Sequence, residues 1–455
     1  MSRINTNIPS MVAQRVLSAN NPSLTTSLNR LSTGLKINSG KDDPAGLIAS
    51  ETLRAEKAAI NAALYNISRA NNVIATAEGG LIEINTLLVE LEDLIDKSAN
   101  SAGISEQERN ANQLQIDAIL SSIDRFANTT EFQGRRLLSG ELSYDTKDID
   151  TAKLTNVSIN AAHVPQGSAR NVTVEVTASA QLAQVVYGTS NTGSGAVTLE
   201  VVGKLGTEVL TFASGTTIAT VANAINGSKE LTGVSAVVSG GALRIMSREY
   251  GSSQFVSVRV LDDNGSFDGN LSTGDGGKGK DYGADAAVTI NGVAAITDGL
   301  RASVRTAVLS VDLDMSSTFG TALGSSSFSI LGGGADFMIS PTVNSAGIAS
   351  LGIPSVTTGN LGKRGLGFLA DLATGKDFAL GTGKFQQGQA IVREAQQVVS
   401  FLRGRLGAFQ KDTLQTTANS LRITLENTSA AESTIRETDF AAETAEMTRA
   451  QILAQ

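Results

Sequence analysis

Apolar residues recur at three- and four-residue steps near both ends of this 455-residue chain and at two-residue steps through its middle, so the termini and the centre must fold as different kinds of structure. From Glu51 onward Leu53, Ile60, Leu64, Ile67, Ile74, Leu81, Ile84, Leu88, Leu91 and Ile95 alternate with polar residues. That is the period of one long helix with a narrow apolar seam. The rhythm slips near Gly79 and Gly80, which either kink the helix or let another segment approach closely; one slightly bent helix is expected. A second run, Leu114, Ile116, Ile119, Leu120, Ile123 and Phe126, ends by Gly134 and predicts an antiparallel partner helix. Near the other end Ile391, Val398, Phe401, Leu402, Leu406, Phe409, Leu414, Leu421 and Leu425 repeat the narrow seam before a polar stretch from Thr428 to Glu432.

A seam of this width cannot bury itself on a lone helix. Periodicity leaves two arrangements open: an ordinary intramolecular bundle, or terminal arms that pack together and carry everything between them as an insert. Within that insert Val172, Val174 and Val176, then Val197, Leu199 and Val201, then Val256, Val258 and Val260, then Leu309, Val311, Leu313 and Met315 alternate with polar or small residues, as half-buried antiparallel strands do. Ile218, Val221, Ala222 and Ile225 predict one short helix among them. The expected class is α+β: a helical-bundle or coiled-coil core built from both termini, with an inserted β-rich outer domain.

The chain has no Cys, so disulfides and metal–thiolate sites are excluded and stability must come from packing and strand pairing. A formal net charge of -8 argues against a general nucleic-acid binder. Neither a cleavable secretory signal nor a membrane-length apolar run is expected. Three constellations invite a chemical reading. Gly274 to Lys280 has the spacing of a phosphate-binding loop, but Asp281 stands where a magnesium-binding Ser or Thr belongs and no helix pattern follows. Gly276 to Asp281 fits part of one calcium-binding nonapeptide, with Asp262, Asp263, Asp268, Asp275 and Asp285 nearby; a single copy cannot stack to close such a site. His163 is the sole histidine and has no second imidazole with which to bind zinc. No enzyme, cofactor or metal is expected, for want of a convergent acid, base or nucleophile.

Four motifs point further. Ser2-Arg3-Ile4-Asn5-Thr6-Asn7 and Leu31-Ser32-Thr33-Gly34-Leu35-Lys36-Ile37-Asn38-Ser39-Gly40-Lys41-Asp42-Asp43-Pro44-Ala45-Gly46-Leu47 resemble the N-terminal signature of bacterial flagellins. Arg403-Gly404-Arg405-Leu406-Gly407-Ala408 and the stretch from Glu437-Thr438-Asp439-Phe440 to Arg449-Ala450-Gln451-Ile452-Leu453 resemble the C-terminal one. Physically, Lys41, Asp42, Asp43 and Pro44 read as a turn and helix start, acidic side chains suiting the positive end of the helix and proline its first turn. Gly195 to Gly251 is similar to an inserted repeat of flagellins and filament-cap proteins, and Val288-Thr289-Ile290-Asn291-Gly292 reads as the start of a second, partial copy.

The resemblance implies a structural subunit that polymerises into an extracellular bacterial flagellar filament. Its inner core arms would be residues 1–45 and 420–455, its helical rod 46–144 and 381–419, and its surface-exposed β-rich part 145–380. Subunit packing is expected at Ile4, Leu24, Leu28, Leu31, Leu35, Leu421, Leu425, Phe440, Met447 and Ile452. Implied partners are further copies of the chain, the flagellar export apparatus, an export chaperone, and the filament cap and junction proteins; nucleic acid and membrane insertion are not implied. The alternatives are a hook–filament junction protein with the same arms, and an adhesin or glycan-presenting surface protein. Where enteric flagellins carry a Gln-Arg-Val-Arg-Glu-Leu run gripped by a vertebrate innate receptor, this chain has Val89-Glu90-Leu91-Glu92-Asp93-Leu94, and weak recognition is expected. Family members usually continue past Leu453 with another amphipathic stretch; were Gln455 the true end, part of the innermost helix and the chaperone site would be missing.

Overall fold

The computed structural model describes residues 7–100, 102–164, 168–188, 192, 195–263, 267, 271–273, 279–306 and 308–454. The chain divides into two compact units, one of Met1–Glu78, Asp336–Ala349 and Arg403–Gln455, the other of Gly79–Ala335 and Ser350–Leu402.

In the terminal unit α1 spans Ile8–Thr33. The Asn7 carboxamide accepts the Ser10 N–H at 3.2 Å to start it, and Gly34, in the left-handed region at φ 73°, ends it by donating to the Arg30 carbonyl. The long helix α2 runs unbroken from Pro44 to Ala99. Ile60, Ala63, Ile67, Ala70, Ile74 and Ala77 bury its seam in this unit, and Leu81, Ile84, Leu88, Leu91 and Ile95 continue it in the other. The C-terminal helix begins as α5 (Phe385–Ala408), passes through a π-helical segment Phe409–Gln415, and continues as α6 (Thr416–Arg436). Phe337, on the returning segment, sets its ring 6.0 Å from that of Phe409. After a break, Asp439 accepts the N–H groups of Ala441 and Ala442 and so starts α7 (Phe440–Ala454).

In the second unit α3 (Glu106–Thr129) opens on a reciprocal cap: Ser105 accepts the Glu108 N–H while Glu108 accepts that of Ser105. Three of its polar side chains hold the returning chain. Gln113 bonds the backbone of Leu372 and Leu380, Asp117 accepts from Thr374, and Asp124 accepts both the N–H and the hydroxyl of Thr358. Leu114, expected in the apolar seam, is instead exposed, because Gln113 takes the inward position beside Ile116.

The insert forms two β cores. The first joins a five-stranded sheet, in which Arg170–Ala178 lies between Ala287–Ile290 and Gly324–Gly333, to a four-stranded sheet containing Leu154–Ala162 and Leu309–Met315. Val172, Val174, Val176, Val311, Leu313 and Phe328 fill the space between. The second core sits in sequence inside the first. One of its sheets orders Leu271–Thr273, Gln184–Tyr187, Ala242–Ser247 and Val234–Ser239; the other orders Lys280–Tyr282, Phe255–Asp263, Val197–Gly203 and Thr207–Phe212. Helix α4 (Ile218–Gly227) buries Ile218, Val221, Ala222 and Ile225 there. Tyr187 stacks on Phe267 at 3.8 Å. Val288, read from sequence as opening a repeat, instead lines the first core from the strand Ala287–Ile290, and Asn291-Gly292 forms its turn at φ 51° and 78°.

Gly79 and Gly80 do different work. A Cβ on Gly80 would meet Thr130 Oγ1 at 2.7 Å and Leu138 Cδ1 at 2.8 Å, whereas one on Gly79 would meet nothing within 4 Å. Gly80 therefore serves close approach, not a kink. Gly79→Ala should raise stability by up to about 1 kcal/mol through helix propensity, while Gly80→Val should lower it by about 1–3 kcal/mol through overpacking. Urea unfolding midpoints of the two variants check the contrast.

Candidate functional site: the joined terminal arms

The two terminal arms are joined through their backbones. Three consecutive backbone groups tie them. Leu35 and Glu437 form an antiparallel bridge, the Lys36 N–H donates to the Arg436 carbonyl at 2.8 Å, and the Thr438 N–H donates to the Gly34 carbonyl at 3.0 Å. Beyond this clasp α1 and α7 lie against each other. Asn20 donates to the Ala450 carbonyl at 2.6 Å, and Arg30 reaches Glu443 at 3.5 Å while its Nε donates to the Lys36 carbonyl. Small residues, Ser27 on α1 and Ala450 on α7, are buried along this pair. On the other side Arg436 pairs with Glu51 and Lys57 with Glu432, each at 2.8 Å. These partly exposed pairs fix register more than they stabilise.

The turn that starts α2 is one hydrogen-bonded unit. Asp42 accepts from the Asn38 N–H at 3.2 Å, the Ser39 N–H at 2.8 Å and the Ser39 hydroxyl at 2.9 Å. Asp43 caps the helix by accepting the Gly46 N–H at 2.9 Å, with Pro44 as the first helical residue. A Cβ at Gly46 would strike the Asp43 carboxylate and the buried Ile37 side chain, which accounts for glycine there. Lys41 is exposed and contributes only charge.

The Ser39 N–H, its hydroxyl and the Asn38 N–H, helped by Lys41, hold the Asp42 carboxyl below its usual 3.8 against slight desolvation. Arg54 and then Arg436 hold Glu51 below its usual 4.5. A carboxyl with a lowered folded value contributes stability that is complete above its unfolded value and is lost as the pH falls through the folded one. Acidification below about pH 4 should therefore loosen this junction. Amide exchange at Asn38 and Ser39, corrected for its intrinsic pH dependence, should accelerate in that range, and Asp42→Asn should remove the pH response.

The expected packing residues separate into two groups. Leu421 is buried, and Leu24, Leu31, Leu35, Leu425 and Met447 are half-buried within the unit; Ile4 lies outside the described residues. Leu28, Phe440 and Ile452 are exposed. Exposed as well is a stripe that the sequence did not single out, with Ile8 at 62 %, Met11 at 61 %, Val12 at 44 % and Val16 at 48 %, spaced three and four apart on α1.

Other expectations are corrected. In the run Val89 to Leu94, Leu91 and Leu94 belong to the buried seam, and Glu92 is bound by Arg393 at 2.8 Å and by Gln396 at 3.0 Å; only Val89, Glu90 and Asp93 face outward. The seam of α5 runs through Val392, Ala395 and Val399, with Phe401 exposed and Val398 half-buried. Gly274 to Lys278, Asp268 and Asp275 lie outside the described residues. Asp281 is buried and accepts the Gln184 N–H, and Asp285 accepts from Ser252 and from the Gly299 N–H. Among the described residues no group of three or more acidic or histidine side chains is placed to hold a metal, and no helix is long and apolar enough to cross a membrane. The His163 backbone bonds Val308 and Arg170, as a loop residue would.

Residues 4–143 match the bacterial flagellin N-terminal helical region, residues 389–455 the bacterial flagellin C-terminal helical region, and residues 197–249 the flagellin hook IN motif. Polar flagellin F of Vibrio parahaemolyticus is 36 % identical over 34 % of this chain and 41 % of its own length. Flagellin D of Vibrio cholerae is 40 % identical over 31 % and 37 %, and B-type flagellin of Pseudomonas aeruginosa 38 % over 35 % and 34 %. The chain thus spans well under half of the length of these relatives. Among solved structures, the flagellar junction protein FlgL of Legionella pneumophila aligns over 85 % of this chain and 99 % of its own at 12 % identity, with a TM-score of 0.29. The D2-D3 domains of the cap protein FliD of Escherichia coli align over 41 % and 98 % at 17 % identity and a TM-score of 0.28. Likenesses this slight carry no weight here.

Proposed function

Because the chain carries a flagellin helical region at each end and belongs with the flagellins, we propose that it is a structural subunit that polymerises into the bacterial flagellar filament. The observation that carries this reading is the joined pair of arms with an apolar stripe left uncovered on α1. A subunit that sets one apolar stripe against a different surface of its neighbour makes a contact that does not close, and such contacts grow helical filaments. In this reading residues 1–45 and 420–455 form the innermost layer, 46–144 and 381–419 the rod, and 145–380 the outer surface. The subunit is exported by the flagellar apparatus with its chaperone, meets cap and junction proteins at the filament ends, and acts outside the cell. Purified chain added to short sheared filament seeds and imaged by electron microscopy tests it: long extensions are expected, and their absence would overturn the reading.

In the outward set Val89, Glu90 and Asp93, Glu90 places a negative charge where the enteric run carries an arginine, and the second such position, Glu92, is paired with Arg393. A receptor surface complementary to arginine meets repulsion there. Full-length chain applied to cells reporting the vertebrate flagellin receptor should give a signal at least tenfold below that of an enteric flagellin, and an equal signal would refute the assignment of these residues.

A further inference from the structure

The second β core turns one sheet face to solvent, and its chemistry differs from that of the rest of the chain. In the sheet ordered Lys280–Tyr282, Phe255–Asp263, Val197–Gly203, Thr207–Phe212, alternate residues point inward, and Val256, Val258, Val201, Leu199 and Asp281 are buried. By the same period the outward positions are Tyr282 and Phe255, then Lys280, Ser257, Val202 and Thr207, then Arg259, Glu200 and Val209, then Thr198 and Thr211.

Tyr282 is 59 % exposed, and its ring lies 6.1 Å from that of Phe255 at an interplanar angle of 46°. The Lys280 ammonium lies over both rings, 4.8 Å from the Tyr282 centroid and 5.1 Å from that of Phe255, which fixes a cation on the aromatic pair. Lys204, bonded to the Ser253 hydroxyl at 3.0 Å, adds a second positive charge at that end of the sheet. The neighbouring carboxylate Asp281 is turned into the core and spent on the Gln184 N–H. Arg259 is paired with Glu200, and Asp262 stands at the far end, opposite Thr198. Lys280 and Lys204 thus set two cations at the aromatic end of this face.

We propose that this face binds an acidic polysaccharide, a uronate-bearing chain laid along the sheet. Tyr282, with the Lys280 ammonium over one side of its exposed ring, offers the other side to the C–H face of a sugar, which carries slight positive charge. A carboxylate on the same or the next sugar reaches Lys280, with Lys204 behind it, and the Ser257 hydroxyl next to Lys280 offers a donor and an acceptor to a sugar hydroxyl. The aromatic pair recognises the ring, and the lysines select for charge. Nothing in this proposal depends on the polymer reading.

Affinity electrophoresis of the full-length chain through gels containing alginate, with dextran gels as the neutral comparison, tests it. Retardation by alginate that weakens as salt is raised, with none by dextran, is expected. Tyr282→Ala and Lys280→Gln should each weaken it at least tenfold while circular dichroism and the melting temperature stay unchanged, and Arg125→Gln, an exposed cation on α3, should leave it as it was. Equal retardation by dextran, loss in the Arg125 variant to the same extent, or wild-type retardation of both the Tyr282 and Lys280 variants would overturn the proposal.

Discussion

Replacing Val12 and Val16 together by aspartate should leave the free chain folded and stop it from extending filament seeds. Both side chains are about half exposed on α1, in one stripe with Ile8 and Met11. Within a single chain the change therefore removes little packing. In a polymer the stripe meets a neighbour in every subunit, and burying the exposed half of each valine contributes about 0.7–1.5 kcal/mol, half the value for a whole side chain. A carboxylate placed there loses that contribution and adds the cost of desolvating an unpaired charge. Since each 1.4 kcal/mol is a factor of ten in an equilibrium constant, the double variant should raise the concentration needed for elongation by at least about a thousandfold. An unchanged thermal melt together with bare seeds is the expected pair of results. Normal filaments would mean that α1 faces solvent in the assembly as well.

What was legible in the sequence was whatever a period of one element controls. Val172, Val174 and Val176, Val197, Leu199 and Val201, and the Ile218 to Ile225 helix are all buried as their spacing requires, because each answers to one sheet or one helix face. The seam of α2 was legible for the same reason. The C-terminal seam keeps its buried leucines across a departure from α geometry that no fixed period foresees. Leu406 and Leu414 are both fully buried although eight residues apart, and two turns of α-helix advance only about seven. The π-helical segment Phe409–Gln415 absorbs the extra residue and restores the phase for Ala418 and Leu421. Before that segment Leu402 is buried as its spacing requires, whereas Val398 and Phe401, also assigned to the seam, stand one residue out of step with the buried Val399 and Leu402.

The clasp between Gly34–Lys36 and Arg436–Thr438 could not be read at all. It is made by backbone groups some 400 residues apart in sequence, and neither segment shows a strand pattern. The side chains of Gln113, Asp117 and Asp124 are similar: they read as the polar face of α3 and turn out to hold the backbone that returns from the insert. Side-chain to backbone bonds of long range leave no periodic trace. The signature around Lys41 to Gly46 lies between these extremes. Its cap chemistry was readable, whereas the need for glycine at position 46 follows only from the packing of Ile37 beside Asp43.

Leu421→Asp should act by the opposite route from the α1 double variant, by unfolding the terminal unit. Leu421 is 9 % exposed on α6, in phase with the fully buried Leu414 and with Ala418. Truncating a buried leucine costs about 2–5 kcal/mol, and leaving a carboxylate in its place adds a further penalty of about 1–3 kcal/mol even if the group takes up a proton. The sum is comparable with the whole stability of a small domain, about 5–15 kcal/mol. Amides of α1, α6 and α7 should therefore lose protection from hydrogen exchange, while those of Val172 to Val176 and Val256 to Val258 keep theirs and no filaments grow. Leu425, only half-buried, should show a smaller loss when changed in the same way. Filaments of normal yield from Leu421→Asp would refute the place given to α6 in the subunit core. If both this variant and the Val12 and Val16 pair fail to polymerise but only Leu421→Asp loses its amide protection, then the arms have two separable faces: one makes the subunit fold, and the other makes it join.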